Sequence, residues 1–312
     1  LIRTSTDDYL RITYEARPMT MIGKLGGVEI GRILDSSLLG FTAQKWFPEF
    51  DREAVRAHEH WLCPNHYDAE CGRIPMPVHS WLLRIGKYNV LIDTCMGNDK
   101  NRAEFGEMHM LTNRYLERMA AIGLKPEDIH FVLCTHLHVD HVGWNTRLDN
   151  GRWVPTFPNA RYVMARREYE AARDEAADPN APGFIRNTFA DSVHPVVEAG
   201  KSDLVDDDHQ LLDCLTLRSA PGHSPGHIRI ELKSQGQIGV FAGDMLHSPI
   251  QIPFWQWSSI VCWNQAMASS ARRELLEYCC AENALLIPGH FEAPHVGRIR
   301  EAGNTFAIDF GW

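Results

Sequence analysis

Short apolar runs, each stopped by turn residues, set the rhythm of the chain. Residues 28–34, 78–85 and 88–92 are rich in Val, Ile and Leu and are of strand length. Gly86-Lys87 separates the last two as a tight hairpin turn, so the chain is predicted to open as a β-meander. From 111 to 122 the period changes. Leu111, Tyr115, Leu116, Met119 and Ile122 recur at helical spacing and leave Arg114, Glu117 and Arg118 outward, which predicts an amphipathic helix closed by Gly123. Buried strands are expected at 131–134 and 161–164, and a charged surface helix at 166–176 that stops before Pro179 and Pro182. A second set of strands at 214–217, 228–232 and 238–241 precedes a helix over 266–282 and a last strand over 284–287.

Each half therefore runs strands first and helices after. That order predicts two sheets packed face to face with helices outside, an α+β four-layer αββα sandwich, although a mixed α/β domain satisfies the same periodicity. No Gly-, Ser- or Pro-rich linker divides the 312 residues. A single domain is expected, with an N-terminal arm over residues 1–20 and a polar, lid-like excursion over about 36–77.

Composition narrows the function classes. With 44% hydrophobic and 23% charged residues the chain is an ordinary globular protein rather than a disordered or disulfide-knotted one. The formal charge of −9 repels phosphate backbones and acidic lipid faces, and the longest cationic groupings are Arg166-Arg167 and Arg272-Arg273. Neither nucleic acid nor a membrane is expected as a partner. No run approaches the roughly 20 apolar residues of a membrane span, and residues 1–10 carry Arg and Asp where a secretion signal is apolar. The eight cysteines are scattered, with Cys279 and Cys280 adjacent, which reads as reduced thiols and a cytoplasmic location.

The chemistry concentrates in histidines at strand ends. His136-Leu137-His138-Val139-Asp140-His141 follows the strand at 131–134 directly. Alternate residues of an extended loop point the same way, so His136 and His138 can grip one ion while Asp140 and His141 turn toward a neighbouring one. Three further candidate ligands each follow an expected strand and a glycine: His223 after Gly222, Asp244 after Gly243, and His290 after Gly289. A second grouping, His58, His60, Cys63, His66 and Cys71, lies within fourteen residues. Its spacing matches no closed zinc motif, and it reads either as a structural zinc site or as a lid whose histidines face solvent or substrate.

Large rings follow the ligand loops. Trp144, Phe254, Trp255 and Trp257, with Met245 and His247, are expected to line an apolar substrate pocket, Trp255 and Trp257 alternatively forming a dimer contact. Trp263 is expected in the core, and Trp46 and Phe47 belong to the early excursion.

His136-x-His138-x-Asp140-His141, then His223, Asp244 and His290 in that order, resembles the ligand set of the metallo-β-lactamase superfamily. The resemblance implies the αββα fold. It assigns His136, His138 and His223 to one metal, Asp140, His141 and His290 to a second, and Asp244 to both, with two Zn2+ per chain and iron as the alternative. Asp93-Thr94-Cys95 resembles the family's Asp-Thr-Gly turn, with Asp93 orienting a metal-bound imidazole, and His227 reads as a supporting group. His138 stands where the flavin-coupled di-iron branch carries Glu. The chain looks most like the branch of methyl parathion hydrolase and the longer quorum-quenching lactonases. That implies opening of lactones, or cleavage of related apolar or aromatic esters, by a metal-bound hydroxide. His138 and Asp140 are then the candidate catalytic residues, and a homodimer through the N-terminal arm is implied. Organophosphate or aryl ester hydrolysis on the same site, and a mononuclear iron oxygenase like the persulfide dioxygenases, are the alternative readings.

Overall fold

The computed structural model describes residues 20–38 and 41–312. The first sheet begins with β1 (Thr20–Leu25), β2 (Val28–Leu38), β3 (Met76–Ile85) and β4 (Tyr88–Ile92), an antiparallel meander. It continues through β5 (Phe131–Leu133). A separate hairpin, β6 (Thr146–Asp149) and β7 (Arg152–Pro155), intervenes before β8 (Arg161–Ala165) and β9 (Ser202–Val205) complete the sheet. From β4 onward the pairing is parallel. The second sheet is ordered as in the sequence: β10 (His209–Leu211), β11 (Leu215–Ser219), β12 (Ile228–Ser234), β13 (Gln237–Gly243), β14 (Leu285–Pro288), β15 (Gly297–Ala302) and β16 (Thr305–Phe310).

Period-two alternation sorts these strands into layers. On β3, Trp81 and Leu83 face the second sheet, whereas Met76, Val78 and Leu82 join a separate core. Leu285 and Ile287 of β14 likewise meet Phe241 and Leu133 between the sheets, while Leu286 packs in a third cluster with Leu275 and Leu276. Strands buried on both faces read as continuous apolar runs, which is why they were legible in the sequence. Helices cover the outer faces. In chain order they are α1 (Ala43–Trp46), α2 (Arg52–Arg56), α3 (Glu59–Leu62), α4 (Tyr115–Ala121), α5 (Arg166–Ala177), α6 (Gly183–Thr188), α7 (His194–Glu198) and α8 (Gln265–Ala281). The αββα sandwich is therefore present, and no helix among the described residues is long and apolar enough to cross a membrane.

Three expectations change. The helix expected over 111–122 is only α4, because Asn98 and Asn113 exchange side-chain and backbone hydrogen bonds (2.7 and 2.9 Å) that hold the preceding residues extended. The N-terminal arm, and with it the expected dimer contact, lies outside the described residues apart from Thr20, which begins β1.

The excursion is the third. It hangs between paired ends of β2 and β3, where Leu38 opposes Met76, and it buries Trp46, Phe47, Val55, Leu62 and Tyr67. Its histidines and cysteines do not converge. His60 and Cys71 are exposed, His58 accepts from Trp61 Nε1, and His66 is buried and stacked on Phe310 at 4.9 Å. Neither a zinc cluster nor a row of solvent-facing histidines results.

Burial lowers the His66 pKa to about 4. The unfolded chain thus takes up a proton that the folded one refuses, so the stability His66 supports is complete above pH 6.5 and is lost as pH falls toward 4. Replacing it with Phe is expected to make urea unfolding less acid-sensitive. Between pH 7 and pH 5 the wild type should lose about 2 kcal/mol more than His66→Phe, and equal losses would show that His66 is not the group taking up the proton.

Candidate metal centre

The ligand candidates leave the ends of strands from both sheets and meet at one edge of the sandwich. The β5 strand delivers His136, His138, Asp140 and His141; the loop from β11 to β12 delivers His223; β13 delivers Asp244; and β14 delivers His290. Before Asp244 the chain turns at Gly243 with φ +50°, where a Cβ would lie 2.7 Å from His227 Nε2 and 2.9 Å from Thr135. Only glycine fits that turn without strain.

Two neighbouring sets of donors form, and His247 makes a third grouping with His223 and Asp244 where they meet. Nε2 of His223 lies 3.1 Å from Nε2 of His136 and 2.8 Å from Nδ1 of His138. Donors at imidazole–zinc distances on a tetrahedron are separated by about 3.3 Å, so this spacing suits one small cation. Asp140, His141, Asp244 and His290 form the second set. Asp244 faces both: its Oδ1 lies 3.0 Å from His290 Nε2 and 3.2 Å from His141 Nε2, and its Oδ2 lies 3.4 Å from His223 Nε2. His141 Nε2 and Asp244 Oδ1 are buried and face each other at 3.2 Å outside hydrogen-bonding geometry. A buried nitrogen and oxygen left unsatisfied at the meeting point of seven ligand-type side chains fit a divalent metal.

The protonation pattern divides the two sets. Against burial, Asp244 raises the His290 pKa and lifts that of His141 well above the ordinary value, giving cations whose protons a metal would displace, whereas His136 and His223 shift the other way. Burial and neighbouring imidazoles hold His136 and His223 well below the ordinary histidine pKa, leaving neutral donors. Burial opposes the ionised form of Asp140, but His141 and His290 outweigh it and hold the carboxyl at about 2. Burial likewise disfavours the Asp244 carboxylate, and the same two histidines pull it well below the usual range. Both carboxylates are thus charged at neutral pH.

Hydrogen bonds aim the rings. Asp93 Oδ2 accepts from His141 Nδ1 at 2.8 Å and from the Thr135 hydroxyl at 2.8 Å, and Asp93 Oδ1 accepts from Thr135 N–H at 2.8 Å. With its proton engaged by Asp93, the Thr135 oxygen accepts from His136 Nδ1 at 3.0 Å. His290 Nδ1 donates to Pro77 O, and the Asp244 N–H donates to His227 Nε2. The bonds to His136, His141 and His290 engage Nδ1 and so leave Nε2 for a metal.

A cavity of about 660 Å3 opens above the donors. His138, Asp140, His223, Asp244, His247 and His290 form its floor, and its walls are mostly apolar, among them Leu38, Phe41, Trp46, Met76, Phe105, Met108 and Trp263, with Glu168 and Glu175 as acidic exceptions. Several expected pocket residues lie elsewhere. Trp144 is buried, stacked on Tyr115 at 5.4 Å, and donates its Nε1 to Asp35. Phe254 and Trp257 stack on each other at 4.1 Å in the core behind the cavity, and Met245 packs in the cluster under α8. Trp255 lines a different surface groove with Arg273 over its ring. Of that group only His247 reaches the cavity. Trp263, expected in the core, is 55% exposed at its rim. Phe105, Met108, Phe184 and Phe189 escaped the sequence reading, and only the rings of Phe105 and Phe184 amid polar neighbours could have flagged them.

Fold and donor set together define a metal-binding αββα sandwich. The family model described as the metallo-beta-lactamase superfamily matches residues 73–298, and the chain belongs to that superfamily. The N-acyl homoserine lactonase of Bacillus cereus is 27% identical over 176 residues, 52% of this chain and 62% of that protein. AttM, an N-acyl homoserine lactonase of Azorhizobium caulinodans, is 35% identical over 112 residues, 35% of this chain and 38% of that protein. The chain thus spans less than two thirds of the length of these curated relatives. Among solved structures, AidC, a dizinc quorum-quenching lactonase, superposes with a TM-score of 0.78 at 19% identity, over 96% of this chain and 99% of that one. AbOPH, a hydrolase in the beta lactamase superfamily, gives 0.77 at 22% identity over 94% and 99%. At such identities the likeness is one of fold.

Proposed function

We propose that this chain is a dinuclear zinc hydrolase that opens lactones or cleaves related apolar or aromatic esters. The observation that carries the reading is the Asp244 carboxylate, whose two oxygens face two groups of candidate ligands at the floor of a largely apolar cavity. His136, His138 and His223 would hold one zinc, Asp140, His141 and His290 the other, and Asp244 would serve both. Bound there, the ions supply a water of lowered pKa and polarise the acyl oxygen.

The chain's own groups do the rest. The walls at Leu38, Phe41, Trp46 and Met76 take the apolar part of the substrate and exclude water from the floor. His138 and Asp140, both half-buried, face the space where the acyl carbon would rest. Asp140, ionised, accepts the proton of the attacking water on a carboxylate oxygen and passes it to the departing alcohol oxygen. His247 Nε2 lies 3.3 Å from Asp244 Oδ2, and its Nδ1, which has no hydrogen-bond partner among the described residues, offers an N–H to a substrate oxygen. The lactonase relatives support the choice of a lactone.

The test is acid release from a panel containing an N-acyl homoserine lactone and an aryl ester. Chelator-stripped protein is expected to retain under about 1% of the activity and to recover it with two equivalents of zinc. Active protein carrying less than one equivalent of metal, or oxygen uptake with bound iron in place of acid release, would sink the proposal.

A further inference from the structure

Glu168 is a buried carboxylate that no ligand assignment uses, and it touches both loops that carry the three-histidine set. It stands in the first turn of α5, 4% exposed. Its Oε1 accepts from the N–H of Leu137, the residue between His136 and His138, at 3.0 Å. Its Oε2 accepts from the Ser224 hydroxyl and from the Gly226 N–H, each at 2.8 Å, in the loop that begins with His223. The first loop leaves a strand of one sheet and the second joins two strands of the other, so this carboxylate ties the sheets together at the metal edge. The approach is close. A Cβ on Gly226 would lie 2.2 Å from the Glu168 backbone nitrogen, so the His223 loop rests directly on the first turn of α5.

We propose that Glu168 is a positioning residue that sets the spacing of His136, His138 and His223 and so governs how tightly that set holds its metal. The inference rests on the dinuclear reading above. The physical argument is one of charge and geometry. A carboxylate accepting three donors from two loops fixes their separation more stiffly than neutral hydrogen bonds, because charge-assisted bonds are shorter and stronger. The Asp140, His141, Asp244 and His290 set has other braces, Asp93 on His141, His227 on Asp244 and Pro77 O on His290. Loss of the Glu168 charge should therefore act on one metal and spare the other. Gln in its place cannot accept at both positions, and its amide NH2 must face either the Leu137 N–H or the Gly226 N–H.

The experiment titrates stripped protein with Co2+ and follows the visible spectrum together with metal retained against a graded chelator. Wild type is expected to retain two equivalents. Glu168→Gln should lose one of them at roughly 10- to 100-fold lower chelator concentration, the loss falling on the spectral component of the three-histidine set, with the second equivalent held as in wild type. The metal-free variant should unfold in urea close to the metal-free wild type. Parallel loss of both equivalents along with a large drop in metal-free stability would mark Glu168 as merely structural, and unchanged retention of both would overturn the proposal outright. Should Glu168→Gln not fold, Ser224→Ala removes one of the three donors and leaves the carboxylate; a several-fold selective weakening is then expected, and none would count against the proposal. Wild type that binds less than one equivalent sinks the dinuclear reading, whereas wild type at two equivalents with an unaltered Glu168→Gln sinks only the role of Glu168.

Discussion

Asp244→Ala is expected to cost at least about three orders of magnitude in kcat/KM and to leave the protein unable to retain two metal equivalents. The reason is its position. Its two oxygens face different ligand groups, at 3.0 and 3.2 Å on one side and 3.4 Å on the other, so a single truncation removes a donor from both. It also removes charge. Burial alone would keep His141 and His290 neutral, and Asp244 is the largest influence raising both. Without it two close imidazoles and Asp140 remain, with less negative charge to hold two dications. Asp244→Asn separates these effects, because it keeps the shape and one carbonyl oxygen while deleting the charge. Its metal retention, measured by elemental analysis after gel filtration, should resemble that of the alanine variant. Either variant keeping two equivalents and wild-type acid release would remove Asp244 from the bridging role.

The cluster of candidate ligands could be read from sequence because metal chemistry permits few residue types, and strand ends aim them in a fixed manner. His136, His223, Asp244 and His290 each stand just past a buried strand, and the strands announce themselves by runs such as Ile228–Leu232 or Leu285–Ile287. The cavity wall obeys no such restriction. Phe254 and Trp257 follow a ligand strand at a plausible distance, yet their rings close on each other at 4.1 Å and 8° and never reach the opening. A row of rings near a site packs equally well beneath it or around it, and only tertiary placement decides.

Local signals were present for some elements that periodicity missed. Asn150-Gly151, both with positive φ, close the β6–β7 hairpin with the turn pair that best matches strand twist. The β15–β16 hairpin is different. Gly297–Ala302, paired with β14 and β16, carries two Arg and a Glu in six residues, as a strand with one solvated face tends to, so its apolar pattern is too thin to mark it. Glu168 shows the same limit at the site itself. It lies in a run of charged residues that reads as a solvated helix face, and its burial follows from Leu137, Ser224 and Gly226, which are distant in sequence.

The second large effect expected is on stability, at Asp191. This carboxylate is buried within a π-helical turn, Phe189–Val193, and receives Arg102 in a two-pronged contact at 2.7 and 2.8 Å. Lys100, fully buried, lies 3.7 Å from one of its oxygens and donates to its backbone carbonyl. Asp191→Ala strands two buried cations, and removing one partner from such a cluster costs about 3–5 kcal/mol. The cost should depend on pH. Burial lowers the Lys100 pKa to about 7, and Asp191 is the chief influence opposing that fall. In the wild type the unfolded chain alone holds this proton between pH 7 and 10.5, so stability rises with pH across that window and is level below it. Without Asp191 the folded-state pKa drops further, and the rising region extends below pH 7. The penalty of the substitution should accordingly be constant above pH 7 and grow on acidification by up to about 1.4 kcal/mol per pH unit. Urea unfolding of both proteins at pH 6 and pH 8 measures it. A penalty under about 1 kcal/mol, or one that shrinks at pH 6, would mean that the two cations find other partners and that Asp191 does not anchor the turn whose Phe189 and Val193 line the cavity.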